Sequence, residues 1–139
     1  MKFLKIFAAL FCAAACAACI PLFNSSTCFE EGESYTFFCG DTSRECREVT
    51  VTRGAALKKL TLDDINGEST AYTELDIENF LSEVGGRILF CEKLYDSTNY
   101  YCSADLPYSV YLYGQEINLH ICVKEGGVTV ASPIIFGGY

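Results

Sequence analysis

Apolar and polar side chains alternate along several short stretches of this chain. In one of them Tyr35, Phe37 and Cys39 stand at every second position. Because the side chains of a β-strand point alternately to opposite faces, this period of two predicts a half-buried strand. By the same pattern, or by β-branched composition, we predict strands at 35–39, 48–53, 87–94, 99–105 and 117–122. The dipeptide Asn66-Gly67 is typical of turns and predicts one there.

Residues 71–86 are ambiguous between strand and helix. Ile77, Phe80, Leu81 and Val84 stand at helical spacing, and two glycines follow them, as at many helix ends. A short strand can precede such a helix, so both elements remain open at this point.

The N-terminal residues have the pattern of a secretory signal peptide. A basic start is followed by residues 6–18, which are almost wholly apolar and small. Cleavage after Ala18 or Cys19 would leave enough chain for one domain. No later run approaches the roughly 20 apolar residues of a transmembrane helix. We therefore expect a protein that is secreted or held in the ER lumen, with residues 1–19 as its leader and no membrane anchor.

The charge of the chain restricts its partners. The net charge is −8 at pH 7, and the leader carries two lysines and no acidic residue, so removing it leaves −10. Such a surface repels phosphate backbones and anionic lipid, which argues against nucleic acid and membrane surfaces as partners. A basic protein partner would instead be attracted.

Nine cysteines lie along the chain, three of them in the leader. The other six are Cys28, Cys39, Cys46, Cys91, Cys102 and Cys122. An even set behind a signal peptide predicts disulfides formed in an oxidising compartment. Cleavage after Ala18 would add Cys19 as an odd thiol, which could link two chains into a homodimer.

An N-glycosylation acceptor follows the leader. Asn24-Ser25-Ser26 matches the Asn-x-Ser/Thr pattern. The motif is short, and the preceding signal peptide supports its use in a eukaryotic secretory pathway. Asn24 is therefore the predicted glycosylation site.

Two cysteine-bearing motifs, in this order and spacing, resemble parts of one known family. Residues 32–39 contain Gly-x-Ser-Tyr-Thr-Phe-x-Cys, and residues 96–102 contain Asp-x-x-x-Tyr-Tyr-Cys. These resemble the B and F strands of a variable-type immunoglobulin domain. Downstream, Gly114, Leu119 and Ile121 are spaced as in its G strand. The three motifs together span most of the mature chain.

The resemblance implies an all-β fold, an immunoglobulin-like β-sandwich with extra disulfides, over residues 20–125. Residues 126–139 would then be a C-terminal tail or an extra edge strand. A disulfide from strand B to strand F would join the two facing sheets. The resemblance implies the pair Cys39–Cys102 and favours Cys28–Cys122, which leaves Cys46–Cys91 as the third pair; the connectivity beyond Cys39–Cys102 stays open.

The same resemblance gives structural roles to two further residues. Tyr100 stands two positions before the second motif cysteine, where these domains have a tyrosine corner, and Asp96 would lie in the same turn. Two features depart from the family. The chain has no tryptophan to pack on the disulfide, and no arginine near the predicted fourth strand to pair with Asp96.

A tyrosine-rich loop would connect strands F and G, where antibodies place a binding loop. Tyrosine gives rigid, amphipathic contact area at low cost in conformational entropy. The loop is therefore a candidate partner-binding surface; the alternative is that its rings cover the end of the fold. Its candidate residues are Tyr108, Val110, Tyr111, Leu112 and Tyr113.

Residues suited to catalysis or metal binding are few. His120 is the chain's one imidazole, and we expect it on the solvent side of a strand. Residues 63–67 match part of a calcium loop, but Leu62 and Thr73 occupy positions that need ligands. We expect no catalytic residue, metal or cofactor.

The function expected from these features is that of a secreted protein-binding module. The resemblance favours one that modulates, or acts as a decoy for, a cell-surface immune receptor or its ligand, as secreted viral immune modulators do. Two alternatives remain: a structural or adhesive protein that self-associates, and a small inhibitor of a hydrolase.

Overall fold

The computed structural model describes residues 2–24, 26–41 and 45–136, and these form three helices and nine strands. The helices are α1 (Lys2–Asn24), α2 (Ala55–Leu60) and α3 (Ile77–Glu83). The strands are β1 (Ser34–Cys39), β2 (Arg47–Val51), β3 (Ile65–Tyr72), β4 (Arg87–Lys93), β5 (Ser97–Ser103), β6 (Val110–Leu112), β7 (Gln115–Ile117), β8 (Leu119–Lys124) and β9 (Gly127–Ser132).

Seven strands form one antiparallel sheet in the order β2-β1-β3-β9-β8-β5-β4. The other two, β6 and β7, pair with each other in a separate hairpin. The described chain is mostly β, which agrees with the predicted all-β class, although three helices accompany the strands. Four of the predicted strands correspond to β1, β2, β4 and β5 within a few residues, and the fifth is divided at Asn118 into β7 and β8.

The C-terminal strand β9 lies at the centre of the sheet, between β3 and β8. The sequence predicted a tail or an edge strand over 126–139, and that prediction is wrong for β9. Val130, Ala131 and Ser132 are each 0% exposed. Side chains on both faces of β9 are thus buried, as in a central strand. The run Val128-Thr129-Val130 is too short for its hydrophobic pattern to distinguish a central strand from an edge strand.

The predicted turn at Asn66-Gly67 is also wrong, because both residues lie within β3. A Cβ atom added at Gly67 would lie 2.8 Å from the backbone oxygen of Ser132 and 2.9 Å from the ring of Phe136. Glycine is therefore needed here for close approach of the chain that leaves β9, and not for a turn.

The helical interpretation of the ambiguous segment is confirmed over α3. Asp76 caps the helix, since its side chain accepts a hydrogen bond from the backbone N–H of Asn79 at 3.2 Å. Phe80 is buried, with its ring centroid 5.9 Å from that of Phe29. β3 ends at Tyr72 and residues 73–76 form no strand, so the short strand considered just before the helix is absent.

The sheet has two faces of different composition. The helix-covered face carries Phe37, Ile121, Val130 and Cys102 among others, and α2, α3 and residues 28–29 pack against it. The aromatic face carries the alternate residues of the same strands, including Phe38, Phe90, Tyr101 and His120. Residues 135 and 136 and the tip of the β6–β7 hairpin lie against it.

The strand pairing differs from that implied by the immunoglobulin resemblance. In a variable domain, strands E and F belong to different sheets, and B faces F. Here β4 and β5, at the positions of E and F, form an antiparallel pair. β1 and β5, at the positions of B and F, lie in one sheet with three strands between them.

The three implied disulfides are not formed, and the eight cysteines whose side chains are described are all free. Cys39 and Cys102 share a face but stand four strands apart. Cys28 packs on the helix-covered face, whereas Cys122 belongs to the aromatic face because it alternates with Ile121. The last pair, Cys46 and Cys91, is exposed at opposite edges of the sheet, next to β2 and on β4.

Helix α1 contains the predicted leader. Its side chains from 5 to 18 are all exposed, among them Phe7 (75%) and Phe11 (73%). Within the described part of the chain, none of the helices has the length and apolar character needed to cross a membrane. The side chains of Cys19 and Asn24, and residue Ser25, lie outside the described residues, so the predictions made for them are untested.

Candidate functional site

The predicted tyrosine-rich loop forms the β6–β7 hairpin, which we call the tyrosine hairpin. It connects the neighbouring strands β5 and β8. Tyr111 pairs with Glu116, and Leu112 with Gln115. Its turn residues are Tyr113 (φ 51°) and Gly114 (φ 77°), so both central residues are left-handed, as a two-residue primed hairpin turn requires.

The five predicted binding residues fall into two groups. Tyr111 and Tyr113 are 71% and 90% exposed. The other three, Tyr108, Val110 and Leu112, are half-buried. The ring centroid of Tyr108 lies 5.9 Å from Nζ of Lys59, and its backbone oxygen accepts from Ser132 Oγ at 3.3 Å. Tyr108 thus packs into the fold, whereas the tip of the hairpin is open to solvent.

The tip of the hairpin is supported by a row of rings on the aromatic face. Tyr113 contacts Phe90 edge to face, with centroids 5.8 Å apart. Phe90 stacks on Tyr101 at 4.6 Å, and Tyr101 stacks on His120 at 4.6 Å. The Tyr113 ring thus contacts the aromatic face on one side, while 90% of the residue's surface stays exposed.

The sequence placed His120 at the surface, but it is buried, with 2% of its surface exposed. Its Nδ1 accepts from the backbone N–H of Ile135 at 3.2 Å, and its Nε2 lies 3.0 Å from Oδ1 of Asn99. This arrangement places the proton on Nε2, which donates to Asn99. Burial lowers the pKa of His120 to about 4. The ring is therefore neutral at pH 7 and serves as a polar support within the aromatic face.

A buried ion pair on the helix-covered face was missed by the sequence analysis. Nζ of Lys59 lies 2.6 Å from Oε1 of Glu68, whose side chain is 3% exposed. Lys59 also donates to the backbone oxygen of Ser26 at 3.0 Å. The Sγ of Cys28 donates to Glu68 at 2.9 Å, and the Cys28 backbone N–H donates to it at 3.2 Å.

These contacts fasten residues 26–28 to the sheet through one carboxylate. Burial, together with the nearby Glu68, raises the pKa of the Cys28 thiol well above its ordinary value. The thiol is thus protonated and poorly suited to act as a nucleophile. Spacing alone gave no sign that Lys59 and Glu68 meet.

A groove of about 580 Å³ opens between residues 30–31 and α3. Its floor contains the apolar residues Leu75, Phe80 and Val84 and the ring of Tyr72. Its rim carries five carboxylates, and no lining residue is basic; the rim residues are Glu30, Glu31, Glu74, Asp76 and Glu83. We call this feature the acidic groove.

Tyr72 joins the floor of the groove to its rim. Its hydroxyl donates to the backbone oxygen of Glu30 at 2.7 Å. Burial, and then the neighbouring Tyr35, Glu31 and Glu30, raises the pKa of Tyr72 to about 12. The phenol therefore stays protonated and holds the Glu30 backbone in place at neutral pH.

The two residues predicted at a tyrosine corner lie in different elements. Asp96 is exposed in the turn between β4 and β5. Tyr100 is half-buried on β5 and packs against the core of the helix-covered face. Among the described residues, no group of three or more acidic, histidine or cysteine side chains is arranged to hold a metal ion.

Comparison with known proteins identifies no relative. No protein-family model matches the sequence, and neither curated proteins nor solved structures give a significant match.

Proposed function

We propose that this protein is a secreted protein-binding module that contacts its partner through the tip of the tyrosine hairpin. The observation that carries the proposal is the exposure of Tyr111 (71%) and Tyr113 (90%) on a short, defined turn. Large aromatic residues exposed side by side are typical of protein-binding surfaces, where tyrosine is enriched.

The hairpin favours binding because its tip is partly ordered before any partner arrives. Tyr113 rests on Phe90, which belongs to the sheet. The left-handed conformation of Tyr113 and Gly114 defines a tight two-residue turn at the tip. A surface held in this way loses less conformational entropy on association than a mobile loop would. This role depends on the hairpin and does not require an immunoglobulin strand order.

Secretion is part of the proposal and is supported by the first helix. α1 is apolar, and its described side chains make no buried contact with the sheet. None of the described side chains of residues 1–19 belongs to the two apolar clusters beneath α2 and α3. The partner that we propose is a cell-surface receptor or its ligand, and the negative net charge favours one with a basic surface.

The test is binding of the fluorescently labelled mature protein to a panel of cell lines, measured by flow cytometry. We expect saturable binding, and replacement of Tyr111 and Tyr113 with alanine should weaken it at least about tenfold. The matched control is Tyr95→Ala, which removes a tyrosine that is fully exposed outside the hairpin. Saturable binding that survives the double substitution unchanged would contradict the proposal.

A further inference from the structure

The acidic groove lies on a different part of the molecule from the tyrosine hairpin. It is bounded by residues 30–31 and α3, and none of the residues that line it belongs to β6 or β7. Its volume of about 580 Å³ falls within the range of about 300–1,000 Å³ that is common for ligand sites.

We propose that the acidic groove is a second binding surface and that it takes a basic, amphipathic peptide segment of a partner protein. Its floor offers Leu75, Phe80 and Val84 to apolar side chains. Its rim offers carboxylates on both sides, from Glu30 and Glu31 across to α3.

The arrangement of the carboxylates indicates which kind of ligand the groove would bind. They come from two segments of the lining, residues 30–31 and residues 74–83, and among the described residues no three of them are placed to coordinate one metal ion. Separated negative charges are better matched by several cationic groups spread along a chain than by a single small cation. Arginine and lysine side chains, whose long stems cover apolar surface, can reach such a rim while a neighbouring apolar residue enters the floor.

The walls of the groove are held in place by contacts already described. Tyr72 donates to the Glu30 backbone, and Asp76 caps α3. On the helix, Asn79 donates from Nδ2 to Oε1 of Glu83 at 2.8 Å. The rim thus keeps its shape without a cation, and a basic peptide would meet a preformed surface.

The experiment uses the mature protein, labelled with ¹⁵N, and a synthetic 12-residue peptide of arginine, leucine and alanine. In a helix this peptide has leucines on one face and arginines on the other. A scrambled peptide of the same composition and a version with glutamate in place of arginine serve as comparisons. We expect the amphipathic basic peptide to shift amide signals of residues 30–31 and 72–84, and to bind more tightly than either comparison peptide.

Two pairs of substitutions, each removing two negative charges, test the location. Glu74→Gln with Glu83→Gln alters the rim, and we expect it to weaken peptide binding about tenfold. Glu45→Gln with Glu48→Gln alters exposed residues near β2, and it should change the affinity by less than about twofold. Equal losses from both pairs, or equal binding of the scrambled peptide, would show non-specific attraction and overturn the proposal.

The peptide experiment can be distinguished from the test of the tyrosine hairpin. A variant with Tyr111→Ala and Tyr113→Ala should bind the basic peptide as the unmodified protein does. Loss of peptide binding in that variant would place the peptide on the hairpin and would also overturn the assignment to the groove.

Discussion

The two faces of the sheet bury polar groups in different ways. On the helix-covered face one buried polar group is the acidic side chain of Glu68, which pairs with Lys59 at 2.6 Å. On the aromatic face one buried polar group is the neutral imidazole of His120, held by Asn99 and the Ile135 backbone. Both groups tie a flanking segment to the sheet, residues 26–28 in one case and 135 in the other.

This difference predicts how the stability of each face responds to mutation and to pH. A buried ion pair is sensitive to loss of one partner, because the remaining charge is left without compensation. A buried neutral histidine is sensitive to pH, because protonation must take place in an apolar site. We therefore expect loss of the ion pair by mutation to destabilise the helix-covered face, and acidic pH to destabilise the aromatic face.

The largest expected effect comes from Lys59→Met. The substitution keeps a long apolar stem but removes the cationic partner of the buried Glu68 side chain, to which only the Cys28 donors remain among the described residues. We expect the free energy of unfolding to fall by about 3–5 kcal/mol, measured by urea denaturation. Lys58→Met, which alters the exposed neighbour on α2, is the matched control and should change it by less than about 0.5 kcal/mol. Similar losses from both substitutions would show that the Lys59–Glu68 ion pair does not stabilise the fold.

The next effect is the pH dependence of stability. The pKa of His120 is about 4 in the folded state and about 6.5 in the unfolded chain, so the unfolded state binds more protons between these values. Stability is therefore fully present above pH 6.5 and is lost as pH falls towards 4. The loss is up to about 3 kcal/mol, since one pKa unit corresponds to about 1.4 kcal/mol.

The control for this pH dependence is His120→Phe, which keeps a ring in the stack and removes the titrating group. Because His120 is the one histidine of the chain, the difference between the two pH profiles isolates its contribution. Parallel profiles between pH 4 and 6.5 would show that the ring is not buried in the neutral form.

A smaller effect is expected from Gly67→Ala, which tests how closely the C-terminal segment packs on the aromatic face. The added methyl would lie 2.8 Å from the Ser132 oxygen, so the backbone must move. We expect a loss of about 1–3 kcal/mol in the free energy of unfolding. Ser69→Ala, on the same strand and face, adds no atom and should cost less.

The smallest effect on stability is expected at the tyrosine hairpin. Replacing Tyr111 and Tyr113 with alanine removes exposed surface and one edge contact with Phe90. The free energy of unfolding should change by less than about 1 kcal/mol. A larger loss would mean that the tip supports the fold, which was the alternative interpretation of these tyrosines.

Local pattern was enough to predict several elements of this fold. Alternation gave β1, β2 and β8, and the stripe of Ile77, Phe80, Leu81 and Val84 gave α3. These succeed because the signal is contained within a few residues. The hairpin was also found, since its tyrosines are concentrated in one loop.

Features that depend on distant residues were missed or wrong. The immunoglobulin motifs correctly predicted that their residues form strands, which are β1 and β5. They did not predict which strands pair with these two, because pairing depends on contacts across the whole sheet. Asn66-Gly67 predicted a turn, but the glycine is required because the chain at Ser132 passes close to it. Glu68 and Lys59, and the walls of the acidic groove, come together only through the tertiary fold.

The central claim is that one sheet contains all seven long strands, with β9 between β3 and β8. Cross-strand nuclear Overhauser effects in the mature protein test it most directly. We expect contacts from the backbone of Val130 to Thr70 on one side and to Ile121 on the other. A spectrum in which β9 lacks both neighbours, together with a Cys39–Cys102 disulfide joining β1 to β5, would contradict it.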